Sequence, residues 1–206
     1  MDDIAGIIIA GGTGRRMGLF KPLAPYLGGH LIDAVIARVR PQVHALALNV
    51  AENQHPLFAR YADFPLIGDG ANPAIGPLGG ILAGLSWAQD LPDIAWLATF
   101  PCDTPFLPRD LVARLAAARG QNDESPVTVT DGDQHQALCT LWPVAARDTL
   151  AAGIAAGAFR SVRNALEALN ARAVAWDEAD AAFFNVNTPE DLAAAEARAK
   201  AAPRGT

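Results

Sequence analysis

Residues 4–18 read Ile4-Ala5-Gly6-Ile7-Ile8-Ile9-Ala10-Gly11-Gly12-Thr13-Gly14-Arg15-Arg16-Met17-Gly18. The first part is a short apolar run rich in branched side chains, and glycines end it abruptly. Such a run is the signature of a buried strand in a parallel sheet. A glycine loop at the carboxyl end of a parallel strand is where an α/β sheet takes its ligand. Without side chains, backbone N–H groups can approach phosphate oxygens closely. Arg15 and Arg16 add forked charge, and Lys21 adds a mobile point charge. From Ile4 to Ile32 the chain carries Arg15, Arg16 and Lys21 and no acid, a local balance of +3. Two familiar loops are excluded: the dinucleotide fingerprint needs glycine where Met17 stands, and the P-loop's glycine-lysine-serine/threonine is absent. The plainer alternative is a glycine turn with two solvated arginines.

Working outward, apolar runs and helical spacings alternate. Leu31 to Val39 reads as a helix stopped by Pro41, and Ala45 to Val50 as a strand. Helical turns are expected within Pro56–Tyr61, a short strand at Phe64–Ile67, a helix from Pro77 to Ala88 and a strand from Ile94 to Phe100. A helix is expected from Pro108 to Ala118, with the proline at or near its first position. Val127–Thr130 and Ala137–Trp142 flank Asp131-Gly132-Asp133 as a hairpin. Helices follow at Ala145–Ala155 and Ser161–Leu169, and a short strand at Arg172–Trp176. Thr188-Pro189-Glu190-Asp191-Leu192 opens a last helix, with threonine as cap, proline first and acids in the first turn. Strands spaced by helices predict an α/β protein with a mostly parallel sheet flanked by helices. One domain is expected over 1–200, with a frayed tail at 201–206.

The whole chain has 206 residues, 51% hydrophobic and 18% charged, with net charge −6. That composition excludes disorder and argues against a polynucleotide partner, which would call for a basic face. Cys102 and Cys139 are too few for a disulfide framework and read as buried thiols in a reducing compartment. The acidic start Met1-Asp2-Asp3 does not resemble a targeting peptide. The most apolar stretch, Ala74 to Phe100, is interrupted by Pro77, Asp90, Pro92 and Asp93, so no membrane span is expected. The reading is a cytoplasmic protein.

Of three later features, two follow predicted strands and the third precedes the last helix. Asp103, in Pro101-Cys102-Asp103-Thr104-Pro105, should reach the same sheet edge as the glycine loop. A lone rigid carboxylate beside a triphosphate suits Mg²⁺; a turn or capping aspartate is the alternative. Asp69, between Gly68 and Gly70, could accept hydrogen bonds from a base or ribose, or be an ordinary loop aspartate. Asn185 and Asn187 alternate around Val186 and so can face one way; turn and cap chemistry is the alternative. His30, His44, His55 and His135 show no metal spacing, and no serine sits in a nucleophile elbow.

In order and spacing, these motifs resemble the molybdenum cofactor guanylyltransferases, over nearly the whole chain. The motifs are Ile9-Ala10-Gly11-Gly12 with Arg15-Arg16-Met17-Gly18, Gly76-Pro77-Leu78-Gly79-Gly80-Ile81, Pro101-Cys102-Asp103-Thr104-Pro105 and Asn185-Val186-Asn187-Thr188-Pro189-Glu190-Asp191-Leu192. The resemblance implies a Rossmann-like nucleotidyltransferase fold and transfer of GMP from GTP to molybdenum-molybdopterin. It implies GTP at Ile9, Ala10, Gly11, Lys21, Asn49 and Asp69, and Mg²⁺ with nucleotide phosphate at Asp103; the backbone amides of Gly11, Gly12 and Gly14 are expected to hold the β- and γ-phosphates. Arg15, Lys21 and Asp103 are the expected catalytic groups. Arg160, Asn185 and Asn187 fall to the pterin side. Transient contact with cofactor-delivering proteins and recipient molybdoenzymes is implied too. Two positions depart from the family pattern: Phe20 replaces an acid before Lys21, and His30 replaces a proline. The rival readings are cytidylyl transfer, sugar-phosphate nucleotidyl transfer, or a non-catalytic nucleotide-binding protein of the same fold.

Overall fold

The computed structural model describes residues 2–11, 20–69, 75–120, 124–132, 134–176 and 182–201, with backbone alone at 52–55 and 134. The apolar run that opens the chain is β1 (Ile4–Ile9), and all six of its residues are buried. Its side chains alternate between two cores, as the strand period of two requires. Ile4 and Ile8 enter one core with Ile32, Val35, Val39, Leu111, Val112 and Leu115. Ala5, Ile7 and Ile9 enter the other with Leu78, Ile81, Leu85, Leu150, Ile154, Val162 and Leu166. A strand buried on both faces explains a continuous apolar run where a half-exposed strand would alternate.

A small antiparallel hairpin follows, β2 (Pro25–Tyr26) with β3 (Gly29–His30). Then come α1 (Leu31–Val39), β4 (Ala45–Asn49), a 3₁₀ stretch over Glu52–Tyr61, β5 (Leu66–Ile67), α2 (Pro77–Gln89) and β6 (Trp96–Pro101). The second half holds α3 (Leu111–Ala117), β7 (Val127–Asp131), β8 (Gln134–Pro143), α4 (Arg147–Ala155), α5 (Val162–Ala168), β9 (Arg172–Ala175) and α6 (Pro189–Ala201). The main sheet has seven strands in the order β5-β4-β1-β6-β8-β7-β9. Pairings are parallel except the two made by β8, with β6 and β7. Helices α1 and α3 cover one face; α2, α4 and α5 cover the other. A third core, of Ala24, Tyr26, Leu31, Val186 and Ala195, packs α6 against the hairpin and the start of α1.

The mostly parallel α/β sheet and the β7–β8 hairpin are as expected, and α1 has its expected bounds. Three differences have local causes. Pro108 does not open α3, which starts at Leu111. The Pro108 carbonyl instead accepts a hydrogen bond from Gln42 Nε2 at 2.8 Å, while Gln42 Oε1 accepts from Val112 N at 2.9 Å. A buried glutamine from another element thus supplies the capping acceptor. The β2–β3 hairpin was not expected; it turns through Leu27 and Gly28, both at positive φ. The strand expected from Phe64 pairs only at Leu66 and Ile67. Helix α6 ends at Ala201, and the rest of the tail lies outside the described residues.

Candidate active site

The sheet order places the site. Starting from β1, the chain steps outward through β4 and β5, then returns to lay β6 on the other side of β1. The crevice of an open α/β sheet lies where the order reverses, at the carboxyl ends of the strands. Here that point is between β1 and β6, so the segments leaving Ile9 and Pro101 face each other across it.

On the β6 side stands Asp103. Lys21, from the 3₁₀ turn Lys21–Leu23, donates from Nζ to Asp103 Oδ2 at 2.5 Å and to Asn187 Oδ1 at 2.8 Å. Thr104 Oγ1 lies 2.7 Å from Asn185 Oδ1 and 3.2 Å from Asp103 Oδ1. Val186 N donates to Asp103 O at 2.9 Å, and the Val186 side chain is fully buried. One backbone bond therefore registers residues 185–187 along 103–104. Of the two asparagines flanking Val186, Asn185 meets Thr104 and Asn187 meets Lys21, which itself pairs with Asp103, so both turn toward the Asp103 side as their spacing suggested. Asp191 secures the same segment from the first turn of α6. Its Oδ2 accepts from Asn187 N and Thr188 N, each at 2.9 Å, and Thr188 Oγ1 accepts from Asp191 N at 3.1 Å. The backbone bonds, that from Asn187 first, hold the Asp191 carboxyl below the ordinary aspartate range.

On the other flank, Asn49 ends β4 and is almost fully buried. Its Nδ2 donates to Ile67 O at 3.0 Å and Asp69 Oδ1 at 2.7 Å. The Asn49 carbonyl accepts from Ala10 N at 2.9 Å. Gly11 lies against this pair: a Cβ there would sit 3.4 Å from Asp69 Oδ2 and 3.5 Å from Asn49 Oδ1. Gly80, in the first turns of α2, packs on the Asn49 amide so closely that a Cβ would overlap it. Gly76, which precedes Pro77 at the head of α2, has φ +61°, a conformation suited to glycine.

The structure thus brings together Ile9, Ala10, Gly11, Asn49 and Asp69 in one group, and Lys21, Asp103, Asn185 and Asn187 in another. Gly12 and Arg15 lie outside the described residues, as do Gly14 and Arg16. Arg160 sits in the turn between α4 and α5, with Nε donating to Gly157 O at 3.1 Å. Among the described residues it touches none of the Asp103 group. Gly80, Thr104 and Asp191 were not singled out as site residues. The glycine pair after Gly76-Pro77 and the threonine beside Asp103 were the available signals. Phe20, where the family pattern has an acid, packs edge-on against Phe58 with ring centroids 5.8 Å apart. The residue before Lys21 is therefore an apolar anchor. Cys102 and Cys139 are free and buried. Burial, and next the Asp103 charge, push the Cys102 thiol well above its ordinary range, so it is unreactive.

Among the described residues no three His, Cys, Asp or Glu side chains gather as a metal cage. Asp103 instead offers one carboxylate among neutral amide and hydroxyl oxygens. That set fits a hard divalent cation whose shell is completed by ligand oxygens. It does not fit a cation held by protein alone.

Among the described residues, a switch-point crevice lined by backbone, amides, a lysine and separate carboxylates is of the kind in which open α/β sheets bind nucleotides. The comparisons give the family. Residues 6–158 match the model of the MobA-like NTP transferase domain. A molybdenum cofactor guanylyltransferase of Rhodopseudomonas palustris is 42% identical over 205 residues, covering 96% of this chain and 92% of the relative. One from Cupriavidus taiwanensis is 40% identical, covering 96% and 98%. The chain belongs to the MobA-like NTP transferase family and is a nucleotidyltransferase. Its fold is similar to that of molybdopterin-guanine dinucleotide biosynthesis protein A from Archaeoglobus fulgidus (TM-score 0.76, 24% identity, 95% and 98% covered). It is also similar to that of 4-diphosphocytidyl-2C-methyl-D-erythritol synthase from Anaerococcus prevotii (TM-score 0.72, 14% identity, 97% and 96% covered). Nucleotidyltransferases generally use a divalent metal. Among the described residues no helix is long and apolar enough to cross a membrane.

Proposed function

We propose that this chain transfers GMP from GTP to the terminal phosphate of molybdenum-bearing molybdopterin, releasing pyrophosphate. The attacking phosphate oxygen forms a bond to the α-phosphorus as the bond to the β-phosphate oxygen breaks. The nucleophile is already anionic, so alignment and charge neutralisation carry the reaction, with little need for a general base. The observation that carries this reading is the Lys21–Asp103–Asn187 group at the switch point, opposite the Gly11–Asn49–Asp69 group. The two groups sit on opposite flanks of the switch point, which supports a nucleoside on one and the acceptor on the other.

In this reading Ile9, Ala10, Gly11, Asn49 and Asp69 bind the nucleoside. Gly12, Arg15 and Lys21 hold phosphates. Asn185, Asn187 and Arg160 serve the pterin side. Asp103 would hold Mg²⁺, which supplies charge neutralisation at the phosphates when bound. Lys21 pairs with Asp103 Oδ2, so a cation taking up that carboxylate would release the ammonium to phosphate. Two buried free thiols support a reducing, cytoplasmic location. Proteins that deliver the pterin and molybdoenzymes that receive the product are the proposed transient partners.

The names of the 42% and 40% identical relatives support guanine over cytosine. A thermal-shift titration with Mg²⁺ and either GTP or CTP tests that choice. A ligand that binds only the folded state raises the melting temperature more, at a given concentration, the more tightly it binds. GTP should raise it further than CTP at equal concentration. An equal or larger shift with CTP would reject the guanine assignment.

A further inference from the structure

Thr104 is 1% exposed and its hydroxyl carries one proton, yet two acceptors face it: Asn185 Oδ1 at 2.7 Å and Asp103 Oδ1 at 3.2 Å. The shorter contact gives the proton to Asn185. That bond fixes the amide with its oxygen inward. Among the described residues, no acceptor meets the two N–H groups of Asn185 Nδ2. Asn187 is fixed in the same sense by a different donor, because the Lys21 ammonium can only donate and so must face the amide oxygen. Two amides on one extended segment thus turn their oxygens to the Asp103 side and keep their N–H groups for something else.

We propose that Thr104 is a positioning residue for the second substrate: its hydroxyl sets the Asn185 amide so that Nδ2 donates to an oxygen-rich acceptor such as a phosphate or a ring carbonyl. This rests on the guanylyl-transfer reading above. If the hydroxyl turned to the Asp103 carboxylate, Asn185 would lose its donor and its amide could flip, presenting the wrong atom.

The test compares Thr104→Val, which keeps the shape and removes the hydroxyl, with Thr104→Ser, which restores it. Pyrophosphate release is measured with molybdopterin varied at saturating GTP, and with GTP varied at saturating molybdopterin. Molybdopterin binding without GTP is followed by quenching of tryptophan fluorescence. Thr104→Val should raise the molybdopterin KM and Kd about tenfold, the effect of one well-placed hydrogen bond. The KM for GTP and kcat should stay within about twofold, and Thr104→Ser should recover most of the loss. An unchanged molybdopterin KM in Thr104→Val overturns the proposal. So does a loss shared equally by GTP, or failure of serine to rescue. If Thr104→Val does not fold, Thr104→Ala against Thr104→Ser gives the same comparison. A wild-type protein that releases no pyrophosphate with GTP, Mg²⁺ and molybdenum-loaded molybdopterin refutes the guanylyl-transfer reading instead, and the binding titration then decides the role of Thr104.

Discussion

Gly80 makes no hydrogen bond through a side chain, yet its lack of one shapes the nucleoside side of the site. Its Cα packs on the Asn49 amide, and an added Cβ would stand 2.6 Å from Asn49 Cγ. Gly80→Ala should therefore push Asn49 away from Asp69 and Ile67. The amide is the end of a side chain and can move, so the fold survives. GTP affinity should fall about tenfold, as when roughly one buried hydrogen bond is lost, and the melting temperature of the free protein should drop by a few degrees, because the Asn49 bonds to Ile67 and Asp69 are broken. Isothermal titration with GTP checks this; wild-type affinity would show that Asn49 does not set the nucleoside. Asp103→Ala belongs to the same scale. The carboxylate is 19% exposed and bonded chiefly to Lys21, so its removal should abolish pyrophosphate release and leave the circular dichroism spectrum unchanged. Asp103 and Asp69 were legible because chain order put each after a strand, and Asn185 and Asn187 because they alternate around Val186 just before α6. The Thr104–Asn185 contact was not, since 81 residues separate its partners and hydroxyls at turns are common.

At the scale of elements, α6 is the clearest case of local sequence specifying local structure. Thr188, Pro189 and Asp191 occupy the positions that satisfy the unpaired N–H groups of a helix start. The same cap fixes Asn187, because Asp191 accepts its backbone N–H. Those bonds depress the folded-state pKa of Asp191, so the group adds stability above its unfolded pKa of about 3.9 and loses that contribution as pH falls through the lower folded value. Wild type and Asp191→Ala should thus differ in melting temperature at pH 6, and the gap should narrow below about pH 4. A gap independent of pH would assign the effect to something other than the carboxylate. Elements without such a local signature were harder to place. The start of α3 depends on Gln42, which comes from the segment after α1. The β2–β3 hairpin contributes two residues per strand, too few for an alternating pattern.

For the molecule as a whole, the sheet order explains why distant motifs form one site. Lys21 and Asn187 are 166 residues apart in sequence and 2.8 Å apart in space. The switch between β1 and β6, together with the return of the chain to α6, brings them together. The net charge of −6 is unevenly spread along the sequence: 4–32 carries Arg15, Arg16 and Lys21 and no acid, whereas 177–191 carries Asp177, Glu178, Asp180, Glu190 and Asp191 and no base. The alternation of strands and helices made the α/β class legible, and the double burial of β1 made the sheet a central one. That β8 alone among the strands of the main sheet runs against the others followed only from the short Asp131-Gly132-Asp133 turn. The central claim is the reaction, and it is tested most directly by pyrophosphate release from the wild-type protein with Mg²⁺ and molybdenum-loaded molybdopterin, with GTP and CTP as paired nucleotides. The account predicts release with GTP that requires the pterin and far exceeds release with CTP. Release that is absent with GTP, independent of the pterin, or greater with CTP would contradict it.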